Sequence, residues 1–157
     1  MLTTNVMRML ERANIPFTAK EYDYDEDDLS GVHAAEALGI PAEQVFKTLV
    51  ARGDRTPFCV FVIPVAEELD LKKCAAVSRN KRVELIHVKE LQQLTGYIRG
   101  GCSPIGMKKK LPTFLDETAM LNDFISVSAG LRGVQVCVNP NDLMKLTEAE
   151  TGDLIRF

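Results

Sequence analysis

The sequence of 157 residues predicts a single domain of the mixed α+β class that spans residues 1–157. Strand-like runs cluster along the chain and are interleaved with short amphipathic helices. This pattern is typical of a mixed, largely antiparallel sheet that curls toward a barrel with helices packed outside. The continuously apolar run at 58–65 predicts a central strand that is buried on both faces. Neither an internal repeat nor a linker divides the chain.

Helices are predicted where apolar residues recur at the helical period behind a capping residue. They begin behind Thr4 (ending before Pro16), Ser30 and Asp70, at Lys89, and at Asn139. Gly39 is predicted to end the second helix, because glycine is common at the C-terminal cap of helices. The tail from Glu148 is expected to fray.

Strands are predicted where β-branched and aromatic residues alternate or run together. They cover residues 17–24, 45–50, 58–65, 83–88, 112–115, 124–128 and 134–138. The turn at 52–57 joins the second strand to the third. The last two strands are expected to form a hairpin around residues 129–133.

Alternation along residues 45–50 places Lys47 on one face with Val45 and Leu49. An ammonium group on an apolar face is costly unless it snorkels to water, pairs with a carboxylate or serves a site. The apolar residues on both sides favour a functional pocket lysine, and snorkelling is the ordinary alternative.

Closely spaced glycine and proline residues predict a loop with a defined backbone conformation. Gly100, Gly101, Pro104 and Gly106 fall within seven positions, and three lysines follow at 108–110. Such a loop presents backbone N–H groups, and the basic run indicates an anion or a carbonyl oxygen that acquires negative charge. A simple glycine turn between two strands remains the alternative.

Three common glycine motifs are excluded by spacing. Met107 stands where a P-loop requires lysine. Ser103 is followed by Pro104, which has no N–H for the oxyanion hole of a nucleophile elbow. Gly100 and Gly101 have the wrong offset for a dinucleotide fingerprint. An oxyanion or phosphate cradle is the interpretation that remains.

Composition limits the other classes of function. The net charge of −3 would not attract nucleic acid, so any such binding must come from a local basic patch. The four cysteines lie far apart, and neither His33 nor His87 has ligand spacing, so reduced thiols, no metal and no cofactor are expected. Without a leader-like or membrane-spanning apolar run, the protein is expected in the cytoplasm and away from membranes.

Several runs together resemble one family. They are V-F-K-T-L at 45–49, P-V at 64–65, L-D-L-K-K at 69–73, G-Y-I-R-G-G-C-S-P-I-G at 96–106 and L-P-T at 111–113. In this order and separation they closely resemble the YbaK/EbsC family of Cys-tRNA(Pro) deacylases. The resemblance covers nearly the whole chain.

The resemblance implies a domain related to the editing insertion of bacterial prolyl-tRNA synthetase. It would act in trans to hydrolyse Cys-tRNA(Pro), with the thiol of the substrate's own cysteine as the nucleophile. The implied partners are the cysteine-bearing acceptor end of tRNA(Pro) and prolyl-tRNA synthetase. Lys47 matches the essential catalytic lysine of the family. The implied substrate-binding residues are Tyr22, Thr48, Gly100, Gly101, Ser103, Pro104, Ile105 and Gly106.

The residues at two positions differ from those in a close relative within that family. Cys102 stands where the relative carries an apolar residue, and Gln135 stands where it carries an aspartate. Two other classes of function stay open. One is a non-catalytic module that binds a tRNA acceptor end or a synthetase, and the other is a phosphate-binding domain for small nucleotides.

Overall fold

The computed structural model describes residues 2–157, which form helices and strands joined mainly by short loops. The helices are α1 Asn5–Arg12, α2 Gly31–Leu38, α3 Leu71–Val77, α4 Val88–Thr95 and α5 Pro140–Thr147. The strands are β1 Phe17–Glu21, β2 Phe46–Gly53, β3 Cys59–Pro64, β4 Val83–Leu85, β5 Thr113–Asp116, β6 Ile125–Ser128, β7 Val134–Val138 and β8 Glu150–Gly152. Short 3₁₀ turns cover Ala42–Gln44 and Glu117–Leu121. None of the helices described within residues 2–157 is long and apolar enough to cross a membrane.

The strands form two sheets. The larger has the order β4-β2-β3-β5-β8 and the smaller the order β1-β7-β6. All neighbours are antiparallel except β3 with β5 and β5 with β8. A single bridge between Val45 and Ser126 links the two sheets. The predicted mixed α+β class and the hairpin of β6 and β7 are confirmed, but the strands of residues 2–157 do not close into a barrel.

The central strand β3 is buried along its whole length, as its apolar run predicts. Its side chains alternate between two apolar clusters on the two faces of the sheet. Val60 and Val62 pack with α1 and the smaller sheet, whereas Phe61 and Ile63 pack with α3. Burial on both faces is the reason that the run lacks a polar alternation.

The predicted capping residues occupy the positions that the sequence assigns to them. The side chains of Thr4, Ser30, Asp70 and Asn139 each accept a hydrogen bond from a backbone N–H in the first turn of their helix. Gly39 ends α2 with φ of 69°, in the left-handed region. These local signals therefore place the helices correctly along the chain.

The strand predicted at 83–88 is too long. β4 ends at Leu85, and α4 begins at Val88. The carboxylate of Glu90 accepts a hydrogen bond from the His87 N–H at 2.9 Å, and this cap at His87 starts the helix at Val88, one residue before the predicted start. The predicted strand at 17–24 likewise ends at residue 21, and the turn predicted at 52–57 begins only after residue 53.

The expectation that the tail frays is wrong. After α5 the chain forms β8, which pairs parallel with β5, and Leu154 is fully buried. The buried carboxylate of Asp116 holds this segment: its Oδ1 accepts the Leu154 N–H at 2.9 Å, and its Oδ2 accepts the Thr118 N–H at 3.1 Å. A polar anchor of this kind depends on long-range pairing, which a local pattern does not report.

Replacing Asp116 should destabilise the fold. Asp116→Ala leaves the buried N–H of Leu154 and the partly buried N–H of Thr118 without acceptors, which costs about 2–4 kcal/mol. Urea unfolding followed by circular dichroism measures the loss, with the exposed Asp123→Ala as the matched control. Equal unfolding free energies for the two variants would contradict the anchoring role.

Candidate active site

A cavity of about 430 Å³ lies beside the part of β2 that β4 leaves unpaired. β4 pairs with β2 only at residues 51–53, so residues 45–50 border the cavity from both faces of the strand. The remaining walls come from the start of α2, the start of α4, the glycine loop, β6 and β7. The volume is in the range of small-molecule sites.

Lys47 lies on β2 opposite Ile63 of β3 and lines this cavity. Burial lowers the pKa of its ammonium group, and the negative charges of Glu68 and Glu67 partly oppose that shift. Within residues 2–157 Lys47 forms no ion pair. A partly buried ammonium without a carboxylate partner is able to interact with a charge on a ligand.

Thr48, the next residue of β2, also lines the cavity and has an unsatisfied hydroxyl. Its Oγ1 is buried, and it is the one buried side-chain nitrogen or oxygen in the described part of the chain without a hydrogen-bond partner. Leaving such a group unpaired costs about 1–3 kcal/mol. A ligand with a donor or acceptor at this position would recover that loss.

Tyr22, Ser128 and Gln135 form a polar wall from the smaller sheet. The Tyr22 N–H donates to the Gly133 carbonyl at 2.9 Å, which fixes the tyrosine just beyond β1. Burial raises the pKa of its hydroxyl, so the phenol stays protonated at neutral pH. Gln135 is held by Ser126 Oγ, which donates to its Oε1 at 2.8 Å.

Only one end of the glycine loop reaches this cavity, through Gly100 and Cys102. Gly100 has φ of 86°, and a Cβ there would lie 3.3 Å from Leu29 Cδ2 and 3.4 Å from Arg132 Cγ. Glycine therefore allows both side chains to pack against the loop. Burial raises the pKa of the Cys102 thiol to about 12.

The other end of the loop turns into the protein. Gly101 and Ser103 are buried, and Ser103 Oγ accepts the Ile105 N–H at 3.2 Å. Ile105 belongs to the apolar core. Pro104, Ile105 and Gly106 line a second cavity of about 290 Å³. The structure thus brings Tyr22, Lys47, Thr48 and Gly100 together. The other predicted substrate-binding residues lie outside the lining of this cavity, and they are Gly101, Ser103, Pro104, Ile105 and Gly106.

The main cavity is cationic although the chain is acidic. Among its lining residues Lys47 and Arg99 are cationic, and none is aspartate or glutamate. The chain as a whole contains 22 acidic and 19 basic residues. The cavity is therefore suited to an anion or to a reaction that develops negative charge.

Sequence patterns alone do not single out several residues of this site. Leu29, Leu91 and Arg99 line the cavity, as do residues 85–88, which the sequence assigns to a strand. Arg99 lies inside the run that resembles the family, and this is the signal that could have found it. The apolar residues carry no such signal, because their side chains look like ordinary core positions.

No cluster suited to a metal ion is present among residues 2–157. His33 lies 3.8 Å from Asp28 at the start of α2, whereas His87 lies at the cavity wall. The thiols of Cys59 and Cys74 are buried, which raises their pKa to about 11 and about 12.

Comparisons with known proteins match this chain along most of its length. The family model of the aminoacyl-tRNA editing domain matches residues 29–146. A protein of Enterococcus faecalis named "Putative Cys-tRNA(Pro)/Cys-tRNA(Cys) deacylase EbsC" is 49% identical over 151 residues, which is 96% of this chain and 92% of that protein.

Solved structures share the fold. A crystal structure described as "a putative trans-editing enzyme for prolyl tRNA synthetase" has a TM-score of 0.82 at 25% identity and covers 97% of this chain and 95% of its own. The crystal structure of a hypothetical protein has a TM-score of 0.86 and covers 96% of this chain and 99% of its own. At 19% identity this similarity supports the fold alone. The resemblance found in the sequence is thereby confirmed, and the chain belongs to the family of aminoacyl-tRNA editing domains.

Proposed function

We propose that this protein hydrolyses Cys-tRNA(Pro) in trans and so protects translation from cysteine misincorporated at proline codons. Membership of the editing family supports an aminoacyl-tRNA deacylase, and the name of the Enterococcus faecalis relative supports cysteine as the amino acid. The observation that carries the proposal is Lys47, a cation without a carboxylate partner within residues 2–157, in a cavity whose lining has no acidic residue.

The site offers charge stabilisation but little nucleophilicity of its own. Cys102 is the cysteine that lines the cavity, and a pKa of about 12 keeps it a thiol at neutral pH. A thiol brought by the substrate supplies the missing nucleophile. Its Sγ attacks the carbonyl carbon of its own ester, the bond to the ribose oxygen breaks, and that oxygen takes up a proton. Water then opens the resulting four-membered thiolactone to free cysteine.

Lys47 is the catalytic residue of this proposal. Its ammonium stabilises the negative charge that develops on the ester oxygens during the attack. Thr48, whose hydroxyl lacks a partner among the described residues, and Tyr22, a protonated phenol, bind the aminoacyl group. Gly100 lines the same cavity, and its missing side chain leaves room for Leu29 and Arg132 to pack against the loop beside the substrate.

The proposed macromolecular partners are the acceptor end of tRNA(Pro) and prolyl-tRNA synthetase. The relation to the synthetase is supported by the description of the solved neighbour at 25% identity. The inner part of the glycine loop consists of Gly101, Ser103, Pro104, Ile105 and Gly106. In this proposal this inner part supports the part that contacts the substrate. Ser103 does so through the Ile105 N–H, which it accepts at 3.2 Å.

Removing the lysine should abolish most of the activity. Lys47→Ala is expected to lower kcat/KM for Cys-tRNA(Pro) by roughly a hundredfold or more, because one preorganised charge is lost. Lys47→Arg should also fail, since the planar guanidinium is wider than the ammonium. Single-turnover deacylation measures the effect, and thermal melting checks the fold. The exposed Lys145→Ala on α5 is the matched control, and a folded Lys47→Ala that retains activity within a few-fold would refute the catalytic role.

Selectivity should follow the chemistry of the substrate side chain. Cys-tRNA(Pro) should be hydrolysed far faster than Ser-tRNA(Pro), Ala-tRNA(Pro) or Pro-tRNA(Pro), since serine has a poorer nucleophile and the other two have none. Rates at saturating substrate test this directly. Comparable rates for cysteine and serine would show that the protein or a bound water makes the attack.

Cys102 should not be the nucleophile. Cys102→Ala is expected to retain most of the parent's kcat/KM, because a buried thiol with a raised pKa forms little thiolate. Mass spectrometry of the quenched reaction should find no acyl group on Cys102. Either a trapped acyl-enzyme or a loss of several orders of magnitude would establish a covalent mechanism instead.

A further inference from the structure

A hydrogen bond joins the Arg132 side chain to the main chain of Arg99 at the main cavity. Arg99 lines the cavity, and Arg132 follows β6 in the tight turn before β7. The Nε–H of Arg132 donates a hydrogen bond to the Arg99 carbonyl at 2.8 Å. The contact joins residues that are 33 positions apart and ties the glycine loop to the turn of the smaller sheet.

Packing holds the Arg132 side chain in this place. A Cβ on Gly100 would come within 3.4 Å of both Cγ and Nε of Arg132, so the side chain lies directly against the loop backbone. Because Nε is already used, the two terminal nitrogens of the guanidinium are left to donate to another group.

Neither arginine is neutralised by a carboxylate in the described part of the chain. Other arginines of the protein do pair, and they are Arg52 with Glu90, Arg79 with Glu150 and Arg156 with Glu68. In contrast, Arg99 and Arg132 form no ion pair within residues 2–157. Arg99 therefore adds its charge to that of Lys47 in a lining that contains no acidic residue, and Arg132 brings a further charge next to it through its contact with the Arg99 carbonyl.

We propose that Arg99 and Arg132 bind the 5′-phosphate of the terminal nucleotide, the one whose ribose carries the aminoacyl ester. This inference rests on the proposed function and extends it from the ester to the nucleotide. A guanidinium presents paired donors that match phosphate oxygens, whereas lysine offers only a point charge. The phosphate and the ester belong to one nucleotide, so a single ligand would contact the two arginines and Lys47 together.

The direct test compares two small substrates that differ only in the phosphate. They are the 2′(3′)-cysteinyl ester of adenosine and the same ester of adenosine 5′-phosphate. The parent protein is expected to show a KM about tenfold lower for the phosphorylated ester, the scale of charge-assisted hydrogen bonds at a partly exposed site. Arg99→Gln and Arg132→Gln should each bring the ratio of the two KM values close to one, mainly by raising that of the phosphorylated ester.

Two further variants separate this role from a structural one. Arg132→Lys keeps the charge but loses the planar fork, so it should retain only part of the preference for phosphate. The matched control is Arg55→Gln, because Arg55 is exposed in the turn between β2 and β3 and does not line the cavity. The control should keep the full KM ratio. A ratio that stays at the parent's value in both glutamine variants would overturn the proposal.

A binding measurement keeps the inference testable apart from catalysis. Calorimetry with adenosine 5′-phosphate and with adenosine should show tighter binding of the phosphorylated form to the parent and a loss of that difference in the two glutamine variants. If the parent hydrolysed neither ester nor Cys-tRNA(Pro), the proposed function would be wrong, while the binding comparison would still decide the phosphate site. Equal affinities of the parent for both compounds would overturn the site itself.

Discussion

The unequal pairing of β2 is the constraint on which the site depends. β3 pairs with β2 along residues 46–51 and is buried throughout, so this side of the strand is rigid. β4 reaches only residues 51–53, which leaves the preceding part of β2 open on its other side. The cavity occupies that opening, and Lys47 and Thr48 enter it from a strand that the core holds in place. A site on a regular strand is better fixed than one on a loop.

The charge of the cavity lining is opposite in sign to the net charge of the whole molecule. The chain has a net charge of −3, yet Lys47 and Arg99 line the cavity without an acidic neighbour in the lining. Partial burial strengthens the interaction of Lys47 with a bound anion, because the effective dielectric is lower than in water, whereas Arg99 is exposed. A ligand with a negative or developing charge is therefore favoured locally in spite of the overall repulsion.

The glycine loop serves both the cavity and the core. Gly100 and Cys102 lie at the cavity, whereas Ser103 and Ile105 are buried away from it. The Tyr97 hydroxyl donates to the Ile105 carbonyl at 2.5 Å, which fixes the inner end of the loop. The residues of this one sequence motif thus have two different positions. The first part of the loop is accessible to a ligand, and the second part packs in the core and supports the first.

Features that depend on near neighbours can be predicted from the amino-acid sequence alone. Capping by Ser30 and Asp70, the buried strand β3 and the place of Lys47 on β2 could all be predicted, because caps and alternation act over a few residues. The family resemblance added Tyr22 and Thr48, which composition and spacing alone leave ambiguous.

The contacts between distant segments are set by the folded arrangement of the whole chain. It paired the tail with β5 through Asp116, joined Arg132 to Arg99 and chose which loop residues reach the cavity. Each of these outcomes depends on long-range pairing and on packing against a neighbour far along the chain. The local periodicity of a segment is the same whichever distant segment packs against it. These long-range contacts therefore could not be predicted from the local sequence pattern.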